Sequence, residues 1–211
     1  LTLSGGSRAF AQWARQRIKT QRGAKLLTVF LGAFIFIDDY FNSLAVGSIA
    51  RPVTDRAHIS RAKLAYILDS TAAPVCVMMP ASSWGAYIIT IIGGILTTHG
   101  VTEYTPLGAF VAMVPMNLYA IFALVMVLVV SWLSLNIGPM RRHERMASEG
   151  ISLTGREMEE QSNDHGFSVR ELESGRVSDL LIPIIALVVV TVSAMLFTGY
   201  QVLAANNQPF G

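Results

Sequence analysis

The sixteen lysines and arginines of this chain fall into three blocks, bounded by Arg8 and Lys25, Arg51 and Lys63, and Arg141 and Arg176. That confinement constrains the fold more than any other feature. It leaves stretches 26–50, 72–98, 107–138 and 180–205 with no basic residue, each longer than the roughly 20 residues that cross a hydrocarbon core about 30 Å thick. Only 14% of the residues are charged, against about a quarter in soluble domains. The stretches lack period-two alternation and are rich in Ala, Leu, Met and Gly, which argues against strands. Helices then remain as the way to satisfy every backbone group in lipid. The expected fold class is an all-α integral membrane protein, a polytopic helical bundle in the cell membrane.

Charge also orients the chain. Basic residues in short loops mark the cytoplasmic side, which places 1–25, 51–69 and 139–179 inside and the acidic loop containing Glu103 outside. The expected division is a basic cytoplasmic or interfacial segment over 1–25 and a transporter core over 26–138, with spans 72–98 and 107–138. A cytoplasmic loop over 139–179, a transmembrane span over 180–205 and a tail over 206–211 follow. Phe10, Trp13, Ala14 and Ile18 recur at helical spacing, as an interfacial helix requires, although a solvated connector fits as well.

Segment 26–50 conflicts with this scheme, because basic blocks flank both of its ends. A re-entrant hairpin resolves the conflict: two half-helices of about ten residues each reach roughly 15 Å and return, with the tip near Asp38 and Asn42. A plain transmembrane helix that violates the charge rule is the alternative. Re-entrant backbone is tolerated only where protein or a watery cavity covers it, so a hairpin implies a pathway.

Of fourteen acids, only Asp38 and Asp39 lie deep within an apolar stretch. A carboxylate at that depth costs at least about 2.5–3.5 kcal/mol, and no base is near in sequence. A cation, a proton or a distant base must offset it. In a regular helix Asp38 and Asn42 share a face at i,i+4, giving a carboxylate and an amide suited to a hard cation such as Na⁺. Capping a half-helix is the competing structural role.

A second polar run is Asp69-Ser70-Thr71-Ala72-Ala73-Pro74, followed by Pro80-Ala81-Ser82-Ser83-Trp84-Gly85. It reads as a broken helix with carbonyls and hydroxyls free for a ligand, or equally as a capped, proline-kinked helix start. Asp38, Asp39, Asn42, Asp69, Ser70 and Thr71 are the expected ion- or substrate-binding residues. No catalytic residue and no resident metal is expected, since the four histidines lack ligand-like spacing and Cys76 is the only cysteine. No cofactor is called for.

These residues also carry a resemblance. Phe36-Ile37-Asp38-Asp39-Tyr40-x-Asn42, Val46-Gly47, Arg51-Pro52-x-x-Asp55, Ile59-Ser60-Arg61-x-Lys63-Leu64-Ala65-Tyr66-Ile67 and Asp69-Ser70-Thr71-Ala72-Ala73-Pro74 together resemble the central signature of the NhaC-type sodium/proton antiporters. The resemblance covers about 26–84, with Phe41 and Cys76 departing from the pattern. It implies a secondary transporter of the ion transporter superfamily, with re-entrant hairpins and broken helices in repeats of inverted topology. Transported Na⁺ and H⁺ follow from it, and exchange or uptake of an organic acid or amino acid is the alternative within the superfamily.

The residues show no internal repeat and no initiator Met, so the chain is read as an internal piece of a longer polypeptide. Its expected partners are the lipid bilayer and a small ion or solute, with no nucleic acid, and a homo-oligomer is compatible. Enzymatic function is not expected: an intramembrane aspartyl protease needs two aspartates from different helices sharing a proton, and here they are adjacent. A non-transporting assembly subunit, its polar residues gluing helices, is the rival from another class.

Overall fold

The computed structural model describes residues 20–149 and 177–205, together with Phe10 and Ile18. Among these residues every regular element is helical, and two of the helices are long and apolar enough to cross a membrane, or three if the bent pair described below counts as one span. The chain is therefore an all-α membrane protein. The expected interfacial helix over 8–25 lies largely outside the described residues, as do 150–176 of the expected loop and the tail.

Helix α1 (Gln21–Phe34) starts at Thr20, whose hydroxyl accepts from the Gly23 amide at 3.1 Å. It stops before a four-residue break, and α2 (Asp39–Arg56) begins with Asp38 as its N-cap. The Asp38 carboxylate accepts from the Phe41 amide at 2.9 Å, satisfying one of the donors that a helix start leaves open. Both helices pack on each other and on α3 (Arg61–Met78). Lys25 near the start of α1 and Lys63 at the start of α3 reach the same short loop, so α2 has returned the chain to the end where α1 began. Segment 26–50 is thus a helical hairpin, and its turn is residues 35–38. Asn42 lies past the turn, in the first helical turn of α2.

The long helix breaks later than expected. Residues 69–74 are continuous α-helix within α3, and the unwinding falls at residues 79–82, after which α4 (Ser83–Thr98) continues the same apolar rod. Pro74 is accommodated inside α3; lacking an N–H, it removes the i+4 donor to the Ser70 carbonyl without ending the helix. The actual break is built by Ser82, which caps α4 by accepting from the Gly85 amide at 2.8 Å and whose hydroxyl lies against the carbonyls of Cys76 and Met79. A Cβ on Gly85 would stand 2.1 Å from the Met79 carbonyl oxygen. Only glycine permits that approach.

The expected span 107–138 is not one straight helix. Helix α5 (Pro106–Met113) passes through a 3₁₀ turn (Val114–Met116) and meets α6 (Leu118–Leu133) at a bend of 52°. Pro115 lies in that turn, and Asn117 caps α6 by accepting from the Ala120 amide at 3.2 Å. Helix α6 ends at Ser134, which takes up the left-handed conformation at φ 53°. Helix α7 (Pro139–Ser148) follows and packs on α3, and α8 (Ser178–Ala205) is a single long apolar helix.

The core lies among α1, α2, α3 and α6. Leu31, Ile35, Val46, Ile49 and Leu64 form its larger part, and Val29, Ile67 and Val127 join α1 and α3 to α6. Helices α1 and α3 approach most closely at Gly32, where an added Cβ would meet the Thr71 hydroxyl at 2.4 Å. Outer faces stay apolar and exposed, as at Met116 (78%) and Tyr119 (77%), which suits lipid and further protein and not water.

Candidate functional site

The hairpin turn is seated on the break of the long helix. The Ile37 carbonyl accepts from the Ser83 amide at 2.8 Å, and the Phe36 carbonyl accepts from the Cys76 thiol at 3.2 Å. Two interruptions of regular structure therefore satisfy each other's backbone groups. Without water, unpaired carbonyls and amides at such breaks would each cost several kcal/mol, so the pairing explains how both are tolerated at one level of the bundle.

Both aspartates face this junction. Asp38 is divided between two helix starts: one carboxylate oxygen caps α2 and the other accepts from the Ser83 hydroxyl at 3.1 Å. Asp39, the first residue of α2, accepts from the Trp84 indole N–H at 3.2 Å. Adjacent residues of one regular helix point about 100° apart, but the extended backbone at Asp38 (φ −153°, ψ 141°) lets both carboxylates meet the start of α4. Neither is paired with a lysine or arginine among the described residues; the two ion pairs found there are Arg61–Asp55 and Arg145–Glu149. Each is half-buried.

Asn42 closes the hairpin from within. Its amide nitrogen donates to the carbonyls of Gly32 and Ile35, both at 2.6 Å, in the last turn and just past the end of α1. Because both partners are acceptors, the amide can be oriented only one way. Its oxygen then points elsewhere, and Asn42 Oδ1 is fully buried with no hydrogen-bond partner among the described residues. A buried carbonyl oxygen with an open lone pair is a group that a cation or a donor would stabilise.

The remaining sequence candidates divide. Thr71 is buried against Gly32, with its hydroxyl directed to the Ile67 and Leu68 carbonyls at 2.8 and 3.2 Å, which puts it beside the strand of backbone that Asn42 caps. Asp69 is exposed on α3 and Ser70 is half-buried, and neither side chain hydrogen-bonds to the hairpin turn among the described residues. Ser83 and Trp84 join the site. Their run was legible as a break, but nothing in it marked them as partners of carboxylates 45 positions earlier.

A second polar cluster, missed from sequence, lies at the base of the hairpin. Lys25 and Lys63 are buried (0% and 1% exposed). The Lys63 ammonium donates to the Asn136 side chain at 2.8 Å and to the Leu135 carbonyl, and Lys25 reaches Ser134 at 3.4 Å. Glu144 of α7 accepts from the Ser60 amide and hydroxyl at 3.3 and 3.0 Å. Basic blocks read as solvated loop charges; the unwinding of α6 after Leu133, which supplies the acceptors, had no sequence signal strong enough to reveal it.

Comparison with known proteins places these features in a family. The chain is 57% identical over 210 residues to an uncharacterized protein of Haemophilus influenzae, covering all of this chain and 38% of that protein's length. No solved structure matches. Residues 75–211 match the profile described as the Na⁺/H⁺ antiporter family, a region that begins beside the helix break and leaves Asp38, Asp39 and Asn42 outside it. With most of its length matched, the chain belongs to the Na⁺/H⁺ antiporter family.

Proposed function

We propose that the chain forms part of a secondary active transporter that exchanges Na⁺ for H⁺, with the ion held where the hairpin turn meets the broken helix. The observation that supports this reading is the convergence, at one pair of helix breaks, of two carboxylates with no basic partner among the described residues and a buried amide oxygen with no hydrogen-bond partner among them. Carboxylate and amide oxygens suit a hard cation, and broken helices place free backbone groups where such ions bind. The same oxygens accept a proton when the cation leaves, so H⁺ and Na⁺ compete, and that competition couples their fluxes. In this reading Asp38 and Asp39 carry the charge, Asn42 and Thr71 supply neutral oxygens, and Asp69 and Ser70 stand on the approach along α3. The base of the hairpin faces the cytoplasm and the loop containing Glu103 faces the other side of the cell membrane, in keeping with the basic blocks.

Because the chain spans 38% of its relative's length, the test uses the full-length protein. In proteoliposomes, Na⁺ pulses should collapse an imposed pH gradient in the wild type. Asp38→Asn and Asp39→Asn keep size and delete the titrating charge; at least one should abolish the response. If both retain wild-type, pH-dependent exchange, the site is elsewhere.

A further inference from the structure

Among the described residues, the end of the bundle opposite the hairpin turn carries arginines that ion exchange does not use. Asp55, Glu144 and Glu149, the carboxylates on α2 and α7 at that end, are each already engaged. Asp55 pairs with Arg61 at 2.7 Å and Glu149 with Arg145 at 3.0 Å. Glu144 is turned inward onto Ser60, in electrostatic contact with the buried Lys25 and Lys63. Left over are Arg22 on α1, Arg56 on α2, and Arg141 and Arg142 on α7. All four are exposed, and none has a hydrogen bond or ion pair among the described residues. Two buried ammonium groups against one buried carboxylate add further positive charge behind them.

The position of these arginines selects their partner. Helix α7 follows the apolar α6 after a link of five residues, 134–138, so it stands at the depth where a spanning helix leaves the hydrocarbon. It is also held there: Glu144 fixes α7 to the N-cap of α3. Guanidinium groups at that level match phosphate in geometry as well as charge.

We propose that Arg141 and Arg142, with Arg22 and Arg56 on the hairpin arms, form a collar that binds the headgroup phosphates of anionic phospholipids in the leaflet at the hairpin base. Each basic residue at an anionic surface contributes about fivefold in affinity. Through Glu144 the collar ties lipid composition to the base of the hairpin. This inference needs only that the chain is embedded in a bilayer, so it stands or falls separately from the Na⁺/H⁺ reading.

The experiment uses full-length protein in phosphatidylcholine vesicles containing spin-labelled phosphatidylglycerol or spin-labelled phosphatidylcholine, and reads the relative association of the two lipids. The wild type should favour phosphatidylglycerol, and the preference should weaken in high salt, where the screening length falls to about 3 Å at 1 M. R141Q/R142Q should lower it severalfold, R22Q/R56Q should lower it as well, and R141K/R142K should retain most of it. Glycerol phosphate in solution should not compete at millimolar concentration. A wild type without preference, an R141Q/R142Q protein with unchanged preference and normal helical content, or full competition by glycerol phosphate would each overturn the proposal. The first points to an acidic soluble partner and the last to a free-anion site.

Discussion

Replacing Asn42 separates a structural from an ion-binding role, because its two ends do different things. Asn42→Ala removes the two hydrogen bonds that cap α1, at 2.6 Å each. A net contribution of about 1 kcal/mol per bond, plus about 1–3 kcal/mol for leaving buried carbonyls unpaired, gives a loss of roughly 3–5 kcal/mol; removing the buried Oδ1, unpartnered among the described residues, offsets part of it. Asn42→Asp should be worse at neutral pH, since it aims a carboxylate oxygen at the Gly32 and Ile35 carbonyls. The assay is thermal unfolding of the full-length protein in detergent, with and without Na⁺. If Oδ1 is a ligand, saturating Na⁺ raises wild-type stability by about 2.7 kcal/mol at a hundred times the dissociation constant, and Asn42→Ala loses that increment as well as its sodium-free stability. Lower stability with an intact Na⁺ increment would leave Asn42 as a cap alone. An unchanged midpoint without Na⁺ would refute the capping argument itself.

Gly85→Ala should destabilise by about 1–3 kcal/mol, the usual range for overpacking, because its Cβ meets the Met79 carbonyl and not a movable side chain. Exchange activity should fall with it, and wild-type activity and thermal midpoint in Gly85→Ala would show that the break is more pliant than its geometry implies. Single cysteines at Gln21 and His58, which flank the hairpin, in a cysteine-free background should react with an impermeant thiol reagent from one side of the membrane, and one at Glu103 from the other. Labelling of Gln21 and His58 from opposite sides would be incompatible with a hairpin.

The residues that stood out in the sequence are those whose environment is set locally. Asp38 and Asp39 stood out because an apolar run cannot hold two charges without a reason, and the conflict between flanking basic blocks predicted that the same run doubles back. The sequence spread the break in the long helix over the run from Asp69 to Gly85, whereas 69–74 are helical and the break is confined to 79–82. A proline inside a packed helix removes one hydrogen bond and can be absorbed, whereas Pro80, Ser82 and Gly85 together offer a cap and a close backbone approach that a helix cannot accommodate. Lys25 and Lys63 were illegible for the opposite reason. Their burial depends on acceptors from residues 134–136, more than seventy positions away, and composition gives no sign of them.

Depth along the bundle connects the base cluster to the proposed ion site. Lys25, Arg51 and Lys63 are the basic residues nearest the hairpin turn and the helix break on the three helices around them. At 1.5 Å per residue, the paths from Lys25 to Phe34, Arg51 to Asp39 and Lys63 to Met78 are roughly 14, 18 and 22 Å. A hydrocarbon core about 30 Å thick has its midplane about 15 Å deep. The hairpin turn and the helix break thus arrive together at or slightly beyond the middle of the membrane, although their arms, at 14 and 18 residues, exceed the ten-residue halves expected from sequence. The extra length lies outside the apolar region, in the basic ends that the loop 134–136 and Glu144 clamp. Helix α4 then has roughly 24 Å of its own for what remains, more than a perpendicular path needs. Its first two residues, Ser83 and Trp84, are the partners of the two aspartates, so any movement of α4 relative to the hairpin alters the hydrogen bonding of both carboxylates, which is the coupling between occupancy and conformation that the proposed exchange requires.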